Sequence, residues 1–292
     1  MSLLGDRRPI VVGVDPDPAR RAAPAWAADE AARRRLPLRA VHVEGVPTRG
    51  YRGREVPPSW EGWNDALHQA GRQVLAEVVD FVAARHPELA VDALLAEGDP
   101  VWVLREQSRD ATAVVLGSRH LSRARELLGS GSVALPVMAH TRCPLVVVPE
   151  PEHITQDPPY FVVGVDGSEH AAAAVDVAFE EAAGRGAELR ALLVWEPGLL
   201  KIFDEHGPQQ EGRRLLSEIV AGRGGRFPEV DLRQELVVGH PVQVLTDASA
   251  HALGLVVGAR GRGSFTGMLL GSVSQGVLHH ARCPVIAVAT PG

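Results

Sequence analysis

The chain is written twice, and that duplication limits the architectures open to it. PIVVGVD at Pro9–Asp15 returns as YFVVGVD at Tyr160–Asp166, 151 residues later. EGDPVWVL at Glu97–Leu104 is answered by VGHPVQVL at Val238–Leu245, and AVVLGSR at Ala113–Arg119 by LVVGARG at Leu255–Gly261. GSVALPVMAHTRCPLVVV at Gly131–Val148 is answered by GSVSQGVLHHARCPVIAV at Gly271–Val288, where the offset has fallen to 140. The drift locates a longer segment in the first copy, around Tyr51–Asn64. Two ordinary-sized domains follow, 1–150 and 151–292, joined through the polar, proline-rich PEPEHITQDPP at Pro149–Pro159.

Within each copy, short apolar runs alternate with longer amphipathic segments. In the first copy the runs are IVVGV, LRAVHV, LAVDALLA, AVVLG and PLVVV, and helical periodicity fills Ala19–Arg35, Asn64–Arg85, Val101–Ser108 and Ser132–Thr141. Strands that are apolar on both faces and separated by helices belong to a parallel sheet covered on both sides. The expected fold class is therefore α/β: two duplicated, doubly wound, Rossmann-like domains of five strands each. Such sheets bind ligands at the carboxyl ends of strands, where strand order reverses.

The fourth strand of the second copy runs into Gly258, and the following spacing is Gly258-x2-Gly261-x9-Gly271-Ser272. Glycine tolerates close backbone approach. A helix opening at Gly271-Ser272, with Ser272 as a cap, offers free N–H groups and partial positive charge to phosphate oxygens. Arg260 and Arg262 add charge beside it. A loop that wraps a sugar and ends on an anion-binding helix start fits a nucleotide. A plain surface loop is the competing reading, and recurrence at the same strand end in both copies favours the nucleotide.

This pattern, after VVGVDGS and before CPVIAV, resembles the universal stress protein family, in a tandem form covering nearly the whole chain. The resemblance implies sheets of strand order 3-2-1-4-5, like those of the adenine nucleotide alpha hydrolases, and ATP, with or without magnesium, as the ligand. In the second copy it implies Asp166 at the adenosine end, Val194 facing adenine through its backbone, and Gly258 and Gly261 along ribose and phosphates. Gly271, Ser272 and Val273 would hold phosphate. The matching first-copy residues are Asp15, Val43, Gly117, Gly131, Ser132 and Val133. That copy departs from the pattern: His120 replaces the second glycine, the loop is one residue longer, and Pro16-Asp17 replaces Gly167-Ser168. Tighter binding by the second copy is the expectation. The resemblance further implies final strands paired between the copies, a homodimer, and a stress-response regulator acting on a protein client.

Composition excludes several alternatives. A net charge of −6 argues against a nucleic-acid partner. Lys201 is the sole lysine, so no GxxxxGK phosphate loop exists. Two cysteines, Cys143 and Cys283, make no disulfide framework. With no secretory apolar run in MSLLGDRRPIVVGVD and no membrane-length apolar stretch, a cytoplasmic location is expected. His140-x2-Cys143 and His280-x2-Cys283 have metal-ligand character, but helix-end histidines followed by small buried cysteines explain them better. His279-His280 reads as a solvated helix end. Ser132 and Ser272 lie outside any G-x-S-x-G frame and read as helix caps. Asp15 and Asp166 read as ligand-orienting groups. Tyr51, Trp60 and Trp63 read as core cover or a lid over the first site.

Three functions remain: a non-enzymatic ATP-binding regulator, favoured here; a slow ATPase or nucleotidyl-transfer enzyme; and a nucleotide-free scaffold for dimerisation or client binding. No base, nucleophile or acidic cluster converges on the loop in sequence, which weighs against the enzyme.

Overall fold

The computed structural model describes residues 8–17, 20–44, 60–118, 133–150, 153–196, 206–261 and 270–290, with the side chains of 60–64 and 206–209 outside that description. Tyr51, the rings of Trp60 and Trp63, and His120, Gly131, Ser132 and Arg262 therefore lie outside the described residues.

The first compact unit contains β1 (Ile10–Gly13), α1 (Ala22–Arg34), β2 (Leu38–Glu44), α2 (Trp60–Arg85), β3 (Val91–Glu97), α3 (Pro100–Gln107), β4 (Ala113–Ser118) and α4 (Ala134–His140). Its strands are parallel in the order β3-β2-β1-β4, with Ile10 level with Leu38 and Ala113. The apolar runs make the buried centre: Ile10, Val12, Leu38, Ala40, Val114 and Val115 are shielded completely.

The second unit contains β5 (Leu145–Pro149), β6 (Tyr160–Val165), α5 (Glu169–Arg185), β7 (Glu188–Trp195), α6 (His206–Val220), α7 (Arg223–Arg226), β8 (Leu232–Val238), α8 (Pro241–Ala248), β9 (Gly254–Gly258), α9 (Ser272–His280) and β10 (Val285–Val288). Its order is β5-β10-β9-β6-β7-β8. The second copy thus has the 3-2-1-4-5 order, all parallel. β5 ends the first copy in sequence but pairs antiparallel with β10, Val147 opposite Val285 and Leu145 opposite Ala287. That is the final-strand pairing the resemblance implied. Phe161, Phe179, Leu189, Leu255 and Ile286 fill the core, and Phe179 stacks on Phe227 with ring centres 5.6 Å apart.

The first helices of the two copies differ. α5 begins at Glu169 because the Ser168 hydroxyl accepts the Ala171 N–H at 3.1 Å, a side-chain cap. α1, expected from residue 19, begins only at Ala22, with Arg21 at the cap position and no side-chain cap bond. On the repeat this is four residues later than α5. Both helices end in a left-handed residue, Gly186 at φ 59° and Arg35 at φ 54°. α2, expected from Asn64, starts at Trp60.

Candidate functional site: the strand-end crevice of the second unit

β6 lies between β7 and β9, and the chain leaves β6 and β9 for different helices, so a crevice opens at their carboxyl ends. Asp166, the first residue past β6, is held by Ser168. Its Oδ1 accepts the Ser168 N–H at 3.0 Å and the Ser168 hydroxyl at 2.7 Å. Ser168 thus links the carboxylate to the start of α5, and its Oγ lies 3.4 Å from the Arg260 carbonyl.

The glycines do different jobs. A Cβ on Gly261 would overlap Asp166 Oδ2. A Cβ on Gly271 would stand 3.4 Å from the Gly261 nitrogen and 3.5 Å from the Arg260 Cα. These two line a cradle of bare main chain, closed by the Gly271 N–H to Ala259 carbonyl bond at 2.9 Å. Gly258, expected along the ligand, is packed by the protein itself: a Cβ there would meet the His170 carbonyl carbon and Cβ at 2.8 Å and the Ala171 nitrogen at 3.0 Å. It is bare because the first turn of α5 lies against it.

The expected Ser272 cap is not formed. Gly271 occupies the cap position with no side-chain cap bond, and Ser272 is the first helical residue of α9. The Ser274 hydroxyl instead donates to the Gly258 carbonyl at 2.6 Å, pinning α9 to the end of β9. The first-turn amides of Ser272 and Val273 have no partner within the helical ladder. These are two of the residues to which the resemblance assigned phosphate.

His170 escaped the sequence reading. The Thr290 N–H donates to its Nδ1 at 3.1 Å, with Thr290 Oγ1 at 3.0 Å from the same nitrogen. A backbone donor there requires an unprotonated Nδ1, so the ring is the neutral Nε2–H tautomer. Burial, and then the Arg260 charge, accordingly lower its pKa, against the opposing pull of Glu169 and Asp166. Val194 is the penultimate residue of β7 and half-buried, level with Asp166 one strand away.

The first-copy residues sit differently. Asp15 Oδ1 accepts the Asp17 N–H at 2.9 Å, the turn that Ser168 makes on Asp166. Arg20 Nε then lies 3.2 Å from Asp17 and 3.8 Å from Asp15. Gly117 has room: a Cβ there meets only Ala23 Cβ, at 3.8 Å, because α1 starts late. Val43 is half-buried in β2, and Val133 is the cap residue of α4. Beside Val43, His42 Nδ1 donates to the Val14 carbonyl at 3.0 Å. Among the described residues, no three His, Cys, Asp or Glu side chains are grouped to hold a metal ion. Cys143 and Cys283 are free and buried, with thiols pushed up to about 11 by burial. No helix among the described residues is long and apolar enough to cross a membrane.

The sequence profile of the universal stress protein family matches this chain twice, over residues 6–149 and 161–289. The chain belongs to that family. Two universal stress proteins of Mycobacterium tuberculosis are 38% and 33% identical to it over 290 residues, spanning 95% of each chain. A universal stress protein from Archaeoglobus fulgidus has the same fold, with a TM-score of 0.74 at 19% identity over 97% of both chains. This universal stress protein is thus of the tandem type, and the match spans 95% of its mycobacterial relatives.

Proposed function

We propose that this tandem universal stress protein binds an adenine nucleotide, ATP foremost, in the crevice of its second unit, and acts as a nucleotide-dependent regulator rather than an enzyme. The observation that carries this reading is the main-chain cradle at Gly261 and Gly271, which any Cβ would narrow, with Asp166 at its edge. The Ser272 and Val273 amides and Arg260 supply the positive field for phosphates. Asp166, bound to Ser168, suits a ribose hydroxyl. Magnesium, if it accompanies the nucleotide, is carried by the phosphates.

Regulation follows if nucleotide affinity differs between two conformations of the protein. Homodimerisation and a protein client in the cytoplasm complete the proposal. The first unit is the weaker site, because Arg20 already lies against Asp15 and Asp17. Titration calorimetry of Gly261→Val tests the reading. The valine must displace the Asp166 carboxylate, and ATP binding in the second unit is expected to vanish while the thermal midpoint stays near wild type. Undiminished binding would refute the assignment.

A further inference from the structure

The last residues of β7 and β8 carry two large apolar side chains in the open. Trp195 is 39% exposed and Val238 55%, and the two are register partners. The Gly239 N–H bonds the Trp195 carbonyl at 3.0 Å, which fixes this ledge. Its orientation follows from strand alternation. Leu193 and Leu236, also register partners, both lie against Gly212 of α6. Trp195 and Val238, two residues further along, project from that same face at the crevice rim.

The first copy has the same frame with opposite chemistry. Gly71 of α2 corresponds to Gly212, and Glu44 and Glu97 are register partners where Trp195 and Val238 stand. His68 binds both, its Nδ1 2.5 Å from Glu44 and its Nε2 3.2 Å from Glu97. Glu44 is 8% exposed, and its Oε1 has no hydrogen-bond partner.

We propose that Trp195, flanked by Val238, is the platform on which the second unit stacks the base of its nucleotide, and that the Glu44–His68–Glu97 clasp denies the first unit this contact. The inference rests on the nucleotide reading above and extends it to a specificity-determining residue. The order of subsites leads to it. Phosphates at the start of α9 and a sugar at Asp166 run from β9 across β6. The base then continues over the end of β7. Val165 is level with Leu193, so Asp166 is level with Val194, and Trp195 stands one residue beyond on the neighbouring strand. A ring left in water at the rim gains cover when a heteroaromatic base lies on it.

The test is calorimetric titration of ATP into the full chain as wild type, W195A and W195F. Loss of one base–aromatic stack raises the dissociation constant about tenfold or more in W195A, and W195F stays within about threefold. Tryptophan emission gives a second readout: ATP quenches the wild type by more than it quenches W195F. Wild-type affinity in W195A, with G261V still abolishing binding, would overturn the platform and leave the site reading intact. No ATP binding by the wild type would remove both. If W195A does not fold, the emission comparison decides alone, and equal quenching in wild type and W195F overturns the proposal.

Discussion

Gly258→Ala separates structural from ligand-facing glycine at this crevice. Gly258 is not among the glycines with positive φ, so its backbone conformation admits alanine. Where room exists, that substitution stabilises by about 0.4–1 kcal/mol, because alanine restricts the unfolded chain. Room does not exist here. The new methyl would meet His170 carbonyl carbon and Cβ at 2.8 Å and the Ala171 nitrogen at 3.0 Å. Two of these atoms are backbone in a capped helix, so no flexible side chain can yield. Overpacking of this kind costs about 1–3 kcal/mol. At about 2–4 °C per kcal/mol for a unit of this size, the thermal midpoint should fall by about 2–12 °C. The shift of α5 should also loosen the Thr290 N–H bond to His170. Differential scanning calorimetry of the nucleotide-free protein measures the effect. An unchanged or raised midpoint would refute the contact, since the sign itself reports whether the methyl finds space. Gly117→Ala is the control: its nearest neighbour is an alanine methyl at 3.8 Å, and no loss is expected.

Acid should weaken the second unit through His170. Its folded pKa is lowered, so the unfolded chain takes up the proton first, and stability present above about pH 6.5 is lost as the pH falls toward the folded value. Denaturant midpoints between about pH 8 and pH 5 should decline less steeply in His170→Asn, whose side-chain oxygen can accept the Thr290 N–H but does not titrate; an unchanged slope counts against the assignment. The thiols should be inert in the folded protein, since Cys143 is 7% exposed and Cys283 not at all, and both resist ionisation. A thiol reagent at about pH 8 should label neither until denaturant is added, and rapid labelling of the native chain would contradict the burial.

The repeat made the fold legible. Runs such as IVVG and GLVVG are apolar on both faces, which leaves little besides a covered parallel strand. The site was legible only in part. A glycine in sequence says that something approaches closely, without saying what. Gly261 meets a side chain at the cradle, whereas Gly258 meets a helix turn 88 residues away in sequence. Ser272 follows a glycine and reads as a cap, yet the cap position went to Gly271, whose N–H is bound to Ala259, while Ser274 two residues on does the anchoring. His170 carried no sequence pattern, because its partner Thr290 lies past the last strand, 120 residues away. The late start of α1 turns on whether residue 17 or its repeat partner 168 can cap: Ser168 does, and Asp17 is engaged by Arg20 instead.

The two copies therefore keep one backbone plan and differ in what their side chains put at the crevice, and magnitudes indicate which difference governs affinity. For scale, set one uncompensated carboxylate charge at an assumed separation of about 10 Å from each phosphate charge. In water each phosphate charge then costs about 0.4 kcal/mol, and four about 1.6 kcal/mol. Physiological salt, with a Debye length of about 8 Å, cuts that to roughly 0.5 kcal/mol. The missing aromatic platform costs about 1–3 kcal/mol. Lost stacking outweighs charge repulsion, so relieving the charge at Glu97, which is 71% exposed, would not restore the first unit. Its Glu44 position would need an aromatic ring, and that position is now a buried carboxylate held by His68 against α2.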